Sequence, residues 1–394
     1  MELSRRAKDI SASVTLAITA KAKKLRSEGV DIVSFGAGEP DFNTPSNIID
    51  AAQHALNSGL TRYTPASGIG ELKTAICQKL KKDNNLSFNE DEIVISNGAK
   101  HSLYNALFAI CNEGDEVIIP VPYWVSYPEL VKLVGAVPVY VETTEENEFK
   151  YEIDKLKNAI SSKTKAIILN SPNNPTGSVY SLEELQEIAK LAIENDVIII
   201  SDEIYEKLVY GDVIHTSIAS LSEEIKDRTI VVNGVSKSYA MTGWRIGYTA
   251  CNKTIAKIMS NFQSHATSNP NSIAQYASVE AIAGSQDEVN KMKVEFEKRR
   301  DFMVDRVNSI SGLSCKKPKG AFYVMINITG VKGREINGKT IETSVDFCDA
   351  LLDGAKVAAI PGAGFGSDDY IRLSYATSME NIKEGLDRIE KFIK

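Results

Sequence analysis

Ala166-Ile167-Ile168-Leu169-Asn170-Ser171-Pro172-Asn173-Asn174-Pro175-Thr176-Gly177, then Ser181 to Glu194, then Val197-Ile198-Ile199-Ile200-Ser201, is the stretch that decides the fold class. Its two ends are short apolar runs rich in β-branched residues, which is how a strand buried on both faces reads. Between them Leu182–Glu194 has helical spacing, with Ser181 at the N-cap and Glu184 three residues on, the signature of a capping box. Strand, helix, strand in that order calls for a parallel pair joined by a crossover. The same alternation continues outward, with strand-like runs at Ile93–Ser96, Glu116–Pro120, Val137–Val141, Thr229–Val232 and Gly247–Ala250. The expectation is an α/β domain with a mainly parallel, seven-stranded sheet between helices. Ligands of such sheets sit beyond the carboxyl ends of the strands.

The C-terminal third changes character. Asp287–Asn308 is a long charged helical pattern without Pro or Gly. Gly320–Ile328, Lys356–Ile360 and Tyr370–Ser374 read as strands, and Met379–Ile393 as a closing helix. Lys332–Thr340, with Asn337-Gly338, reads as an exposed turn. A length of 394 residues exceeds one ordinary compact core. The expected division is an N-terminal arm over 1–45 that joins the small domain, a large domain over 46–285, and a small α+β domain over 286–394.

Apolar content of 43% and charged content of 25% are those of a soluble globular protein. A net charge of −7 argues against nucleic acid as a partner. Cys77, Cys111, Cys251, Cys315 and Cys348 are scattered, as reduced thiols of a cytoplasmic protein would be. The four histidines are scattered too, so no metal site is expected. Val14–Ala20 after Arg5-Arg6 mimics a signal peptide. It is short, holds two threonines and is followed by lysines, so it reads as mature protein. No run reaches membrane-spanning length.

Chemistry-bearing residues fall in the loops after strand-like runs. Ser236-Lys237-Ser238-Tyr239-Ala240-Met241-Thr242-Gly243-Trp244-Arg245-Ile246-Gly247 gathers a lysine, a hydroxyl and an arginine beside two glycines. That set suits a cofactor with both an aldehyde and a phosphate, the lysine forming a Schiff base while Ser236 and Arg245 hold the phosphate. Asp202 ends the run Val197–Ser201, where a carboxylate needs a partner, either a pyridinium N–H or a protein group. Glu203 and Tyr205 beside it also suit a helix start. Asn173 reads as a turn residue, and Asn174, before Pro175, as a ligand contact. Asn97-Gly98-Ala99-Lys100 opens an apolar helix whose free N–H groups suit a phosphate. Arg372 alternates with apolar neighbours and either pairs with an acid or binds a ligand carboxylate. Trp124 either stacks on a flat ring or packs, and the Tyr63 phenol either meets a phosphate or is structural.

Together these pieces resemble the aspartate aminotransferase family, the fold-type I pyridoxal 5′-phosphate enzymes. The resemblance runs in order along nearly the whole chain. It covers Gly36-Ala37-Gly38-Glu39-Pro40-Asp41-Phe42, Tyr63–Gly68, Pro122–Tyr127, Ser171–Gly177, Ser201–Tyr205, Ser236–Gly247 and Arg372–Ala376. The most similar branch is the bacterial and plastid one, with aspartate and glutamate/aspartate–prephenate aminotransferases. The resemblance implies Lys237 as the Schiff-base lysine and proton shuttle, and Asp202 as partner of the pyridine nitrogen. It implies Asn174 and Tyr205 on the ring 3′-oxygen, and Ser236, Arg245 and the backbone at Gly98, Ala99 and Lys100 as a phosphate cup. Trp124 would stack on the ring, Tyr63 would reach the phosphate of a neighbouring subunit in a homodimer, and Arg372 with Gly38 and Asn174 would grip the substrate α-carboxylate. Lys100 and Thr15 match the positions that meet a distal carboxylate, which implies aspartate or glutamate as donor and ping-pong amino transfer to a 2-oxo acid. Prephenate or aromatic transamination and a carbon–sulfur lyase are the alternatives within the same cofactor class.

Overall fold

The computed structural model describes residues 3–12 and 14–394. Its centre is a seven-stranded sheet. The strands are β1 (Ile93–Ser96), β2 (Glu116–Val121), β3 (Val137–Glu142), β4 (Thr164–Asn170), β5 (Ile198–Asp202), β6 (Thr229–Gly234) and β7 (Gly247–Ala250). They lie in the order β1-β7-β6-β5-β4-β2-β3. Only β7 runs antiparallel to its neighbours. That reversal has a use: the start of β7 lies at the same sheet edge as the ends of the other strands.

Alternation along β4 explains the layers. Ala166 and Ile168 join a cluster with Leu103, Leu107 and Met259 on one face, while Ile167 and Leu169 join Leu185 and Ile188 on the other. Helix α1 (Ala99–Ile110) thus covers one face and α2 (Leu182–Glu194) the opposite one. The α2 capping box is formed, the Glu184 N–H donating to Ser181 Oγ and the Ser181 N–H to Glu184 Oε2 at 2.7 Å.

A second unit holds α3 (Asp287–Asn308), a three-stranded antiparallel sheet and α4 (Met379–Ile393). Its strands are β8 (Tyr323–Asn327), β9 (Ile360–Pro361) and β10 (Tyr370–Ser374), with β10 central. The N-terminal segment contributes a short strand, Val33–Ser34, paired parallel with Val357–Ala358. Two details differ from expectation, and the turn at Asn337-Gly338 is where it was expected. The 356–360 run divides, because Val357 and Ala358 pair with the N-terminal segment and Ile360 with Arg372. The 320–328 run becomes strand only at Tyr323, because the N–H groups of Gly320 and Ala321 donate to Gly177 and Leu208 in the large unit. The turn at Asn337-Gly338, both at positive φ, closes a small hairpin of Glu335–Ile336 with Lys339–Thr340.

Candidate active site

Beyond the sheet edge lies a cavity of about 360 Å³. Loops after β1, β2, β4, β5 and β6 line it, together with Arg245 before β7, Arg372 from β10 and Tyr323 from β8. Register places Asn170 beside Asp202 at the ends of adjacent strands.

Asp202 is buried. Its Oδ2 accepts from the Tyr127 hydroxyl at 2.8 Å and its Oδ1 from the Ile204 N–H at 3.2 Å. Burial pushes the carboxyl up to about 6 in spite of those two donors. Lys237 Nζ donates to the Gly38 carbonyl at 2.5 Å. Burial lowers its amine to about 8, against the pull of Glu39 and helped by Arg372 and Arg245. Two groups that ordinarily titrate far apart are thereby brought toward neutrality, the usual sign of a site prepared for a charged ligand or a proton transfer.

Arg372 is 2% exposed. Its Nη1 donates to Asn174 Oδ1 at 2.9 Å, and the guanidinium lies 4.3 Å from the Tyr323 ring centroid and 5.0 Å from that of Phe365. Arg372 Nε is buried with no hydrogen-bond partner. A cation at this depth without a carboxylate beside it calls for an anionic ligand. Asn174 is itself held by its N–H on Asn170 Oδ1 at 2.9 Å. Asn173 instead closes the turn, accepting from the Thr176 N–H and hydroxyl.

Ala99, Lys100, Ser236 and Arg245 line the same cavity. Gly98, at φ 87°, precedes α1, and a Cβ there would run into the Arg245 guanidinium. Gly247 likewise has no room for a Cβ against Gly98 and Ala99, so β7 can lie close beneath the α1 N-terminus. Ser236 is buried and faces the cavity. A helix N-terminus, a hydroxyl and an arginine form an anion cradle. An amine, a buried carboxylate in a ring-sized cavity, an anion cradle and a buried arginine with a free Nε together fit pyridoxal phosphate and the carboxylate of its substrate.

Trp124 is half-buried in the cavity wall, with Lys100 Nζ 4.9 Å from its ring centroid. Burial, and Arg245 after it, lowers the Lys100 amine. Thr15 lines the same cavity. Tyr205 is buried in the wall with its hydroxyl 3.0 Å from that of Tyr323. Tyr63 is the exception: it is 91% exposed and lies in an open groove with Thr267 to Ser272, outside this chain's own cavity. Residues with no assigned role in the sequence reading also belong here. Tyr127 follows Trp124 by three positions, a spacing that could have singled it out. Thr242 donates to Glu39 Oε2 at 2.6 Å, tying the Lys237 loop to the N-terminal segment. Tyr323 had no signal, since it reads as one apolar residue of a strand.

The family model for aminotransferase class I and II matches residues 30–389. An aspartate aminotransferase of Bacillus sp. (strain YM-2) is 53% identical over 100% of this chain and 99% of its own length. A probable aspartate/prephenate aminotransferase of Aquifex aeolicus is 46% identical over 100% and 98%. Among solved structures, the aspartate aminotransferase from Rhizobium meliloti superposes with a TM-score of 0.97 at 42% identity, covering 100% of this chain and 99% of that one. The Thermus thermophilus aspartate aminotransferase with maleate gives 0.94 at 41%, covering both chains fully.

Proposed function

The chain belongs to the class I and II aminotransferase family, and on that footing we propose that it is a pyridoxal phosphate-dependent aspartate aminotransferase, with 2-oxoglutarate or oxaloacetate as acceptor. The observation that carries the reading is one cavity lined by Lys237, Asp202 and the buried Arg372, whose Nε lacks a hydrogen-bond partner. Asp202, Asn174, Tyr205, Trp124, Ser236, Arg245 and the α1 N-terminus at Gly98, Ala99 and Lys100 would hold the cofactor. Arg372, Asn174 and Gly38 would hold the substrate α-carboxylate.

When bound, pyridoxal phosphate supplies a carbonyl for the amino group and a conjugated ring that takes up the electron pair left as the substrate Cα–H breaks. Asp202 supplies the negative charge that keeps a ring nitrogen protonated, and a cationic partner returns its raised carboxyl to the ionised form. Lys237, with its amine near neutrality, can take a proton from Cα and return it at the adjacent carbon. Arg372 orients that Cα by a planar grip on the carboxylate. Trp124 shields the reacting face from water. Releasing a 2-oxo acid before the second substrate enters gives ping-pong kinetics.

Lys100 and Thr15, which line the same cavity as Arg372, support a dicarboxylic donor, and the Thermus relative with maleate supports the same class. The aspartate/prephenate relatives favour prephenate as a second acceptor. Exposed Tyr63 supports a homodimer in which it completes the partner's site. Among the described residues no helix is long and apolar enough to cross a membrane; with five free thiols, this supports a cytoplasmic location. The test is a half-reaction panel: aspartate, glutamate, aromatic amino acids and arogenate are mixed with holoenzyme, and loss of the cofactor's long-wavelength absorbance is followed. Aspartate and glutamate should react fastest. Ammonia release would point to a lyase, and an unchanged aspartate rate in Lys100→Ala would refute the distal-carboxylate role.

A further inference from the structure

Carboxylate grip, ring anchor and proton shuttle leave one buried phenol of the cavity unused. Tyr323 opens β8 and is 1% exposed, yet it lines the cavity beside Gly38. Its hydroxyl lies 3.0 Å from the Tyr205 hydroxyl, with the two rings edge to face at 5.9 Å and 82°. The face of its ring carries the Arg372 guanidinium at 4.3 Å. One side chain from the small unit therefore touches both the carboxylate grip and a phenol of the large unit.

We propose that Tyr323 is a positioning residue: its hydroxyl donates to Tyr205, which turns the Tyr205 proton toward the cofactor's ring oxygen, while its ring holds the Arg372 fork flat. The proposal rests on the cofactor reading above. Each phenol has one proton, and the pair shares one hydrogen bond. If Tyr205 donated to Tyr323, it would have no proton for the cavity. The cation over the Tyr323 ring polarises that phenol and makes it the better donor. A donor that itself accepts a hydrogen bond becomes a stronger donor. Arg372 and Asp202 are the charged groups around Tyr205, and Arg372 and Glu39 those around Tyr323; all stay constant across the variants below.

Tyr323→Phe keeps the ring and removes the hydroxyl. In this holoenzyme the cofactor should stay bound by equilibrium dialysis, and the pH midpoint of its absorbance change should rise by about half a unit or more, because a weaker donor favours the deprotonated form less. KM for aspartate should stay within about twofold, whereas Tyr323→Leu should raise it more than about tenfold by removing the platform under Arg372. Tyr205→Phe should shift the midpoint further, and the Tyr205→Phe/Tyr323→Phe double variant should match Tyr205→Phe alone. An unmoved midpoint in Tyr323→Phe, or additive shifts in the double variant, would overturn the proposal while leaving the enzyme reading intact. A wild-type protein that binds no cofactor would overturn both.

Discussion

Asp202 shows at the scale of one residue how a buried carboxyl in a cavity wall makes stability depend on pH. Its carboxyl rises from 3.8 to about 6 through burial, so between those values the folded protein binds more protons there than the unfolded chain. Stability of the cofactor-free protein should therefore fall as pH rises through that window. Asp202→Asn keeps an acceptor for Tyr127 and removes the charge. We expect it to stabilise the cofactor-free protein at pH 8 by on the order of 1–3 kcal/mol and to lose that advantage near pH 4, as read by urea unfolding. The same substitution should lower turnover at least about 100-fold; equal stability at pH 8 would contradict the burial argument. Lys237 has the opposite sign. Its amine falls from 10.5 to about 8, so the unfolded chain binds more protons in that window and stability rises with pH across it. Lys237→Ala should flatten that rise, abolish the linked cofactor absorbance and cut turnover by roughly a hundredfold to ten-thousandfold. Arg372→Lys should raise KM for aspartate more than about tenfold, because a point charge replaces a planar fork.

Among the elements, β7 and the start of α1 approach closely at the place where we propose the cofactor phosphate binds. Gly247 lets the strand pass directly beneath Gly98 and Ala99. In Gly247→Ala the new methyl must push the helix N-terminus away from Arg245 and Ser236. Cofactor affinity should fall at least about tenfold by dialysis and Tm by several degrees; an unchanged affinity would show that the cradle tolerates the displacement. Elements bounded by strong local signals were legible in the sequence: Leu182–Glu194 by its capping box and Asp287–Asn308 by an unbroken charged helical pattern. The divided 357–361 run was not legible, because its two halves are separated by their pairing partners, hundreds of residues apart in one case, rather than by any local residue.

At the scale of the whole molecule, Tyr63 is exposed and lies in a groove outside its own chain's cavity. If two copies share their sites, each single variant, Tyr63→Ala or Lys237→Ala, will form a weak enzyme. Mixed dimers will then regain activity, because one of their two sites has both native residues. We expect recovery toward about a quarter of wild-type activity in an equal mixture, half the molecules being mixed with one intact site each. No recovery, with sedimentation showing a dimer, would place Tyr63 in a structural role. The sequence by itself determined the α/β class and marked Lys237, Asp202, Asn174, Arg245 and Arg372 as candidates, all of which line one cavity, because turn residues, apolar runs and charged side chains are local features. Only the tertiary structure decided that Arg372 Nε lacks a hydrogen-bond partner, that Asp202 is held by Tyr127, and that Tyr323 bridges Tyr205 to Arg372. Those facts depend on burial and on contacts between strands far apart in the chain, and no local pattern encodes which buried groups will lack a partner.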